Sequence, residues 1–206
     1  MTSDEPNPPV TRHSSLVTGQ ITGLVLAGGM GRRMDSRDKG LVEFRGKAMV
    51  AHVIERFAPQ VRSIIINANR SLDAYGAFGH PVISDEVGGF AGPLAGLHAG
   101  LKGCATPFIC TTPCDAPLLP LNLVASLYAA LQHHDAELAV AKTGDQAQPV
   151  FALYSATLLP SLTQFLESGG RKIDAWYSTH RVVEVPFADD AAFANVNTMA
   201  ELQALR

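Results

Sequence analysis

The chain is poor in charge. Asp, Glu, Lys and Arg make up 17% of its 206 residues, and the formal net charge is −3. A protein that binds duplex nucleic acid normally presents a strongly basic surface, so this balance argues against such a partner. No apolar run approaches the ~20 residues that a membrane-spanning helix needs. We therefore expect neither a nucleic-acid partner nor a membrane partner.

Cysteine is scarce as well, with three residues, Cys104, Cys110 and Cys114. Their spacing matches no paired zinc-binding pattern, and a small, odd number is typical of reduced thiols. Residues 1–20 are rich in proline, serine and polar side chains and contain no signal-peptide pattern. These features predict a cytoplasmic protein in which residues 1–20 form a flexible tail.

Several catalytic motifs are missing too. The chain has no G-x-S-x-G string and no Ser–His–Asp or Cys–His arrangement, so nothing marks a nucleophilic enzyme. It also has no P-loop string, G-x-x-x-x-G-K-[ST]. A dinucleotide fingerprint is incomplete, because Met34 stands where the third small residue after Gly29 and Gly31 belongs. A dehydrogenase is therefore disfavoured.

Apolar residues, by contrast, make up 47% of the chain, enough for a substantial core in one domain, which we place at residues 21–206. Continuous apolar segments alternate with amphipathic ones, which predicts a mostly parallel sheet covered by helices on both faces. The predicted strands are 21–27, 62–68, 81–85, 107–115, 137–142, 148–155 and 181–186. The predicted helices are 48–58, 92–103, 121–134, 156–168 and 198–206.

Glycines and positive charges cluster directly after the first predicted strand, in LVLAGGMGRRMDSRDKGL, residues 24–41. Glycine lets another group approach the main chain closely, and exposed amides with fixed positive charge suit an anion, most simply nucleotide phosphates. Asp85 and Asp115 follow two other predicted strands. Because ligands of such sheets bind outside the carboxyl ends of the strands, we expect these carboxylates and the glycine turn to form one site.

These segments resemble one family when they are taken together. The strings LAGGMGRRM, DKGL, VIERF, IIINANR, VISDE, GPLAGLHAGL, TTPCDAPLLP, QPVFALY and FANVNTMAEL are similar, in this order, to those of the MobA-type molybdenum cofactor guanylyltransferases. The resemblance covers nearly everything from Ile21 to Leu205. It implies a three-layer, Rossmann-like nucleotidyltransferase fold. One departure is DSRD between Met34 and Lys39, where the family often has Gly after the Met.

The resemblance also implies an activity. A family member transfers GMP from GTP to the terminal phosphate of molybdenum-molybdopterin and releases pyrophosphate, with Mg²⁺ as cofactor. Transient contacts with molybdenum-insertion proteins and molybdoenzymes would follow. A phosphate monoester has its second pKa at ~6 and is largely anionic near neutral pH, so this chemistry needs no strong general base. The missing catalytic motifs are consistent with it.

Site residues carry over from the resemblance. It implies that Asp115 holds Mg²⁺ and acts in catalysis with Lys39 and Arg33, which meet the triphosphate. The other implied nucleotide contacts are Leu26, Ala27, Gly28, Gly29, Gly31, Asn67 and Asp85. An amide such as Asn67 can donate to or accept from a base edge, but it can also simply close a turn. Asp85 has a helix cap or a loop position as its ordinary alternative.

The acceptor site is less defined. Arg171 and Lys172 could receive the acceptor phosphate, or they could be exposed charges at a helix start. Asn195 and Asn197 could complete the metal or acceptor environment, or they could stabilise their loop.

Two functional alternatives stay open. One is the same chemistry with CTP or a sugar phosphate, and LAGG rather than LAAG favours the guanylyl branch by resemblance. The other is a nucleotide sensor without catalysis, which could lose Asp115. Identification of the product by mass would distinguish them.

Overall fold

The sheet that organises the molecule has seven strands. The computed structural model describes residues 17–27, 38–87 and 92–196. The strand order is β5-β4-β1-β6-β8-β7-β9, and the strands are β1 (Ile21–Leu26), β4 (Ser63–Asn67), β5 (Val82–Ile83), β6 (Phe108–Pro113), β7 (Leu138–Thr143), β8 (Gln146–Ser155) and β9 (Val182–Phe187). A separate hairpin joins β2 (Glu43–Phe44) to β3 (Lys47–Ala48).

Six α-helices connect these strands within the described residues. They are α1 (Met49–Phe57), α2 (Leu72–Gly76), α3 (Pro93–Gly103), α4 (Leu123–His133), α5 (Leu159–Glu167) and α6 (Ile173–Tyr177). Short 3₁₀ turns occupy Lys39–Leu41, Ala58–Gln60, Ala156–Leu158 and Asp190–Phe193. The predicted helix at 198–206 lies outside the described residues. No described helix is long and apolar enough to span a bilayer.

Alternate residues of each strand face two different cores, as the period of two in a strand requires. On β4, Ile64 and Ile66 belong to a core that includes the buried side of α1, while Ile65 belongs to a second core with α3 and α5. Val25 and Leu24 of β1 divide in the same way. The sheet is therefore covered on both faces, which confirms the predicted three-layer architecture.

The strand directions decide where loops meet. β5, β4, β1 and β6 are mutually parallel, whereas β8 is antiparallel to both β6 and β7. β7 pairs parallel with β9. The sheet is thus mostly parallel, as predicted, and every strand except β8 ends at one edge, which we call the carboxyl edge. Its parallel half carries the ends of β5, β4, β1 and β6, and its mixed half carries the ends of β7 and β9 and the start of β8.

Candidate functional site

Asp115 and Lys39 form an ion pair at the parallel half of the carboxyl edge. Asp115 follows β6 and is 8% exposed, and its Oδ2 lies 3.5 Å from Lys39 Nζ. The Asp115 carbonyl accepts a hydrogen bond from Val196 N at 3.0 Å. Burial raises the pKa of the Asp115 carboxyl above its ordinary value, and the charge of Lys39 opposes that shift. A second cation at Asp115 would therefore further stabilise a carboxylate that is poorly solvated.

A magnesium ion fits the chemistry of this carboxylate. Mg²⁺ in nucleotide sites takes one or two protein carboxylates and completes its shell with water and substrate phosphates. The described residues contain no group of three or more His, Cys, Asp and Glu side chains suited to a metal. Asp115 could thus hold Mg²⁺ together with a bound triphosphate. Such an ion is shared between protein and substrate and is not enclosed by protein ligands alone.

The backbone that carries Lys39 is held by residues of the β4–α2 segment. Tyr75 Oη donates to Asp38 Oδ1 at 2.5 Å, and Arg70 Nε lies 3.5 Å from Asp38 Oδ2. Tyr75 itself is fully buried. The segment that presents Lys39 is therefore tied to the core and not only to the edge.

Asn67 and Asp85 form the second polar cluster of the parallel half. Asn67 ends β4 and is 2% exposed, and its Nδ2 donates to Asp85 Oδ1 at 2.9 Å. Asn69 Nδ2 donates to Asp85 Oδ2 at 2.7 Å, and Asn69 Oδ1 accepts from Asp85 N at 2.9 Å. Each carboxylate oxygen of Asp85 is thus oriented by one amide and keeps further acceptor capacity.

Gly96 leaves room for this cluster. It lies on α3, and a Cβ at this position would overlap Asn67 Oδ1 and approach Leu26 Cδ2 to 2.6 Å. A side chain of any size would therefore push Asn67 away from Asp85. The GPLAGLHAGL string contains this glycine, but an apolar helix pattern alone does not distinguish it from Gly100.

The glycine turn is described only at its start. Ala27 N donates to Asn67 O at 2.8 Å, and Leu26 O accepts from Cys114 N at 3.1 Å, so neighbouring strands already use these main-chain groups. The predicted contacts at Gly28, Gly29, Gly31, Arg33 and Asn197 lie outside the described residues. The nucleotide contacts of Leu26 and Ala27 stay predictions.

The predicted acceptor residues differ among themselves. Arg171 Nη1 donates to the carbonyls of Leu166 and Gly170 at 2.9 and 2.6 Å, so its guanidinium serves the end of α5. Lys172 is exposed and precedes α6. Asn195 is exposed and is the neighbour of Val196, which bonds the Asp115 main chain. Asn195 therefore borders the Asp115 site, whereas no described contact joins Arg171 or Lys172 to it.

Four polar residues were missed by the sequence analysis as site residues: Asp38, Asn69, Arg70 and Tyr75. Asn69 and Arg70 stand in the quoted IIINANR string, and Asp38 stands in DKGL, so position within these strings was an available signal. Nothing local marks Tyr75, because its partner Asp38 is distant in sequence.

The sequence of this chain is similar to those of known proteins. The model of the MobA-like NTP transferase domain matches residues 23–182. A molybdenum cofactor guanylyltransferase of Bordetella petrii is 54% identical over 189 residues, which cover 90% of this chain and 96% of that protein. One of Cupriavidus metallidurans is 52% identical over 187 residues, covering 88% and 92%.

A similar fold is found among solved structures. The crystal structure of molybdopterin-guanine dinucleotide biosynthesis protein A from Archaeoglobus fulgidus superposes with a TM-score of 0.72. The superposition covers 89% of this chain and 95% of that chain, with 24% sequence identity. This likeness supports the fold, and the sequence relatives support the family.

Proposed function

Because the chain belongs to the molybdenum cofactor guanylyltransferase family, we propose that it transfers GMP from GTP to the terminal phosphate of molybdenum-bound molybdopterin. An oxygen of the acceptor phosphate forms a bond to the α-phosphorus of GTP. The bond from that phosphorus to the bridging oxygen breaks, and pyrophosphate leaves with the electron pair. The observation that carries the proposal is the Lys39–Asp115 pair at the carboxyl edge, beside the Asn67–Asp85 cluster.

Lys39 would neutralise charge on the triphosphate. Its side chain is 24% exposed, so the ammonium is reachable from solvent, and it is already drawn toward the edge by Asp115. A lysine ammonium acts on phosphates as a compact point charge. Two anions, the triphosphate and the acceptor phosphate, must approach each other, and positioning with charge neutralisation supplies most of the catalysis in such a transfer.

Asp115 would hold the Mg²⁺ that we propose as the cofactor. When bound, that ion supplies charge neutralisation at the phosphates. The Asp115 carboxylate would hold the ion at the end of β6, and the bond from Val196 N to the Asp115 carbonyl fixes the main chain there.

Asn67 and Asp85 would face the nucleotide base. Guanine presents N–H donors at N1 and N2, and an ionised carboxylate is an acceptor for both. Asp85 is oriented by Asn67 and Asn69, which limits the directions in which it accepts. This arrangement supports a preference for guanine.

The remaining partners follow from this activity. Molybdenum-insertion proteins and molybdoenzymes are the proposed macromolecular contacts, since one must deliver the acceptor and the other receive the product. The cytoplasm is the proposed compartment, because Cys104, Cys110 and Cys114 are free thiols, as a reducing environment favours.

The test is product identification. Purified protein is incubated with molybdenum-loaded molybdopterin, Mg²⁺ and each nucleoside triphosphate in turn, and products are analysed by mass. We expect a guanine dinucleotide product with GTP and no comparable product with CTP or ATP. A cytosine product would favour the cytidylyl alternative, and GTP binding without any product would favour the sensor. Omitting the metal tests the Mg²⁺ requirement in the same assay.

A further inference from the structure

Tyr75 is a buried phenol that the proposed reaction does not use. It lies on α2, and its Oη donates to Asp38 Oδ1 at 2.5 Å. The other oxygen of Asp38 forms an ion pair with Arg70 Nε at 3.5 Å. Only 8% of the Asp38 side chain is exposed, so its carboxylate is buried against the protein. Asp38 therefore ties the main chain just before Lys39 to α2.

The main chain just after Lys39 meets the same phenol. A Cβ at Gly40 would lie 2.6 Å from Tyr75 Oη and 3.0 Å from Cys114 Sγ. Gly40 is buried, so this close approach is fixed by packing. Cys114 precedes Asp115, the partner of Lys39. The two residues that flank Lys39 are thus both seated against Tyr75, and Gly40 also rests on the strand end that carries Asp115.

We propose that Tyr75 is a positioning residue for Lys39, acting through Asp38 and Gly40. A lysine side chain is long and flexible, so its ammonium stays near one point only if its backbone is fixed. Tyr75 fixes that backbone on both sides, and Asp115 draws the far end of the side chain. The inference rests on the proposed function only in taking the nucleotide phosphates as the target of Lys39.

Tyr75→Phe is the direct test, since it removes the hydroxyl and keeps the buried ring. Affinities for GTP with Mg²⁺, and for guanosine without phosphates, are measured by calorimetry. Tyr75 makes this hydrogen bond to a charged carboxylate. We therefore expect its loss to weaken GTP binding about tenfold. Guanosine affinity should be unchanged, because guanosine offers nothing for Lys39 to bind.

Thr22→Val is a matched control. It removes a buried bond between Thr22 Oγ1 and Thr106 Oγ1, of 2.7 Å, near the start of β1 and far from the carboxyl edge. Neither affinity should change in this variant. Circular dichroism and thermal melting check that both variants fold.

A double-variant cycle separates positioning from a general structural role. In a Lys39→Ala background, Tyr75→Phe should cause no further loss of GTP affinity, because the group that it positions is gone. An equal loss with and without Lys39, or a parallel loss for guanosine, would overturn the inference. If Tyr75→Phe does not fold, Asp38→Ala, which removes the acceptor of the Tyr75 hydroxyl, takes its place in the cycle. Any direct effect of the lost Asp38 charge on the phosphates is present with or without Lys39, so it cancels from the coupling.

Failure of the proposed function would look different. If Lys39→Ala leaves GTP affinity at the parental value, the assignment of Lys39 to the phosphates fails. If Lys39→Ala weakens GTP binding but Tyr75→Phe does not, the positioning role alone fails.

Discussion

The two halves of the carboxyl edge use their polar side chains differently. In the parallel half, polar groups orient one another: Asn67 holds Asp85, and Lys39 pairs with Asp115. In the mixed half, Arg171 bonds the carbonyls at the end of α5, and Tyr177 Oη donates to Pro149 O at 2.7 Å. Side chains also pair there, as Lys142 does with Glu184, but these two side chains are 30% and 51% exposed, against 24% and 12% for Lys39 and Asp115. The parallel half therefore holds its paired charges in a more buried setting than the mixed half does.

Strand direction explains this difference. In the parallel half, four neighbouring strands each end in a turn at the same edge, so several side chains converge. In the mixed half, β7 leads into the antiparallel β8 through a turn at Gly144, which has a φ of 52°. A tight turn of this kind presents little side-chain surface. We expect GTP, the donor, to bind at the parallel half through single residues. We expect the acceptor to bind at the mixed half through several weaker contacts.

Asp115→Asn should have the largest effect on the parallel half. The substitution keeps the size of the side chain but replaces a charged oxygen ligand by a neutral amide. Turnover should fall by about a hundredfold or more, the scale for loss of one preorganised electrostatic group. Turnover is measured against Mg²⁺ concentration for both proteins, with circular dichroism as the folding control.

GTP affinity should fall less than turnover in that variant, and raised Mg²⁺ should recover part of the activity. A folded Asp115→Asn protein with near-parental turnover at low Mg²⁺ would move the metal to another residue. It would also remove the main functional contrast between the halves.

Gly96→Ala should have the next largest effect, with Gly100→Ala as its matched control. Both add one methyl group to α3 at buried positions. The new Cβ at 96 would overlap Asn67 Oδ1, whereas at 100 it meets Leu24 Cδ2 at 2.5 Å and Ile109 Cδ1 at 3.1 Å, which are apolar. Overpacking of this kind destabilises by roughly 1–3 kcal/mol, so both variants should melt earlier.

Only Gly96→Ala should also weaken GTP binding, by up to about tenfold, through loss of the Asn67–Asp85 bond. Calorimetry on both variants, below their melting temperatures, measures this. Equal affinities in the two variants would mean that Asn67 and Asp85 do not contact the nucleotide.

The architecture could be predicted from the sequence because apolar periodicity is a local signal. All seven predicted strands and the four predicted helices within the described residues are present, although α1 begins at Met49 and ends at Phe57, inside the predicted 48–58. The β2–β3 hairpin, α2 and α6 were not predicted. The two strands have two residues each and the two helices five each, so no period is established in any of them.

The site was predictable only in part, for a physical reason. Asn67, Asp85 and Asp115 stand at strand ends, and parallel topology brings strand ends together. Tyr75 reaches Asp38 and Gly96 faces Asn67 through packing between distant segments. No spacing along the chain encodes those contacts, so they require the folded structure.

Lys172→Ala and Arg171→Ala test the mixed half, and their effects should be smaller than those above. The first should change the KM for the acceptor and the second the thermal stability. Lys172 is exposed, so its removal should leave stability unchanged. If it meets the acceptor phosphate, KM for the acceptor should rise severalfold, on the scale of an exposed ion pair. Arg171→Ala should lower the melting temperature, because two carbonyls lose their donor. KM measurements with GTP saturating, together with thermal melts, separate these effects, and an acceptor KM unchanged by Lys172→Ala would exclude that residue.

Substitution of His98 should have the smallest effect. This residue joins α3, which precedes β6 of the parallel half, to α5, which follows β8 of the mixed half. It is 7% exposed on α3, and its Nε2 lies 3.0 Å from Thr163 Oγ1 on α5. The Thr163 hydroxyl donates to Leu159 O, so its oxygen accepts from His98 Nε2–H. Within the described part of the chain, the buried Nδ1 has no hydrogen-bond partner. The neutral ring therefore fits this site, and a proton on Nδ1 would find no acceptor.

Stability should consequently depend on pH through His98. Burial lowers the pKa of His98 below its ordinary value of 6.5, the charge of Lys102 adds to the shift, and Glu86 and Glu167 oppose it. Below pH 6.5 the unfolded chain binds a proton that the folded chain resists, so the free energy of unfolding falls as the pH is lowered toward the depressed pKa. His98→Gln keeps a donor for Thr163 and does not titrate. Melting temperatures from pH 8 to pH 5 should therefore fall less steeply in the variant, since every other titrating group is shared, and parallel curves would show that His98 is protonated in the folded protein as readily as in the unfolded one.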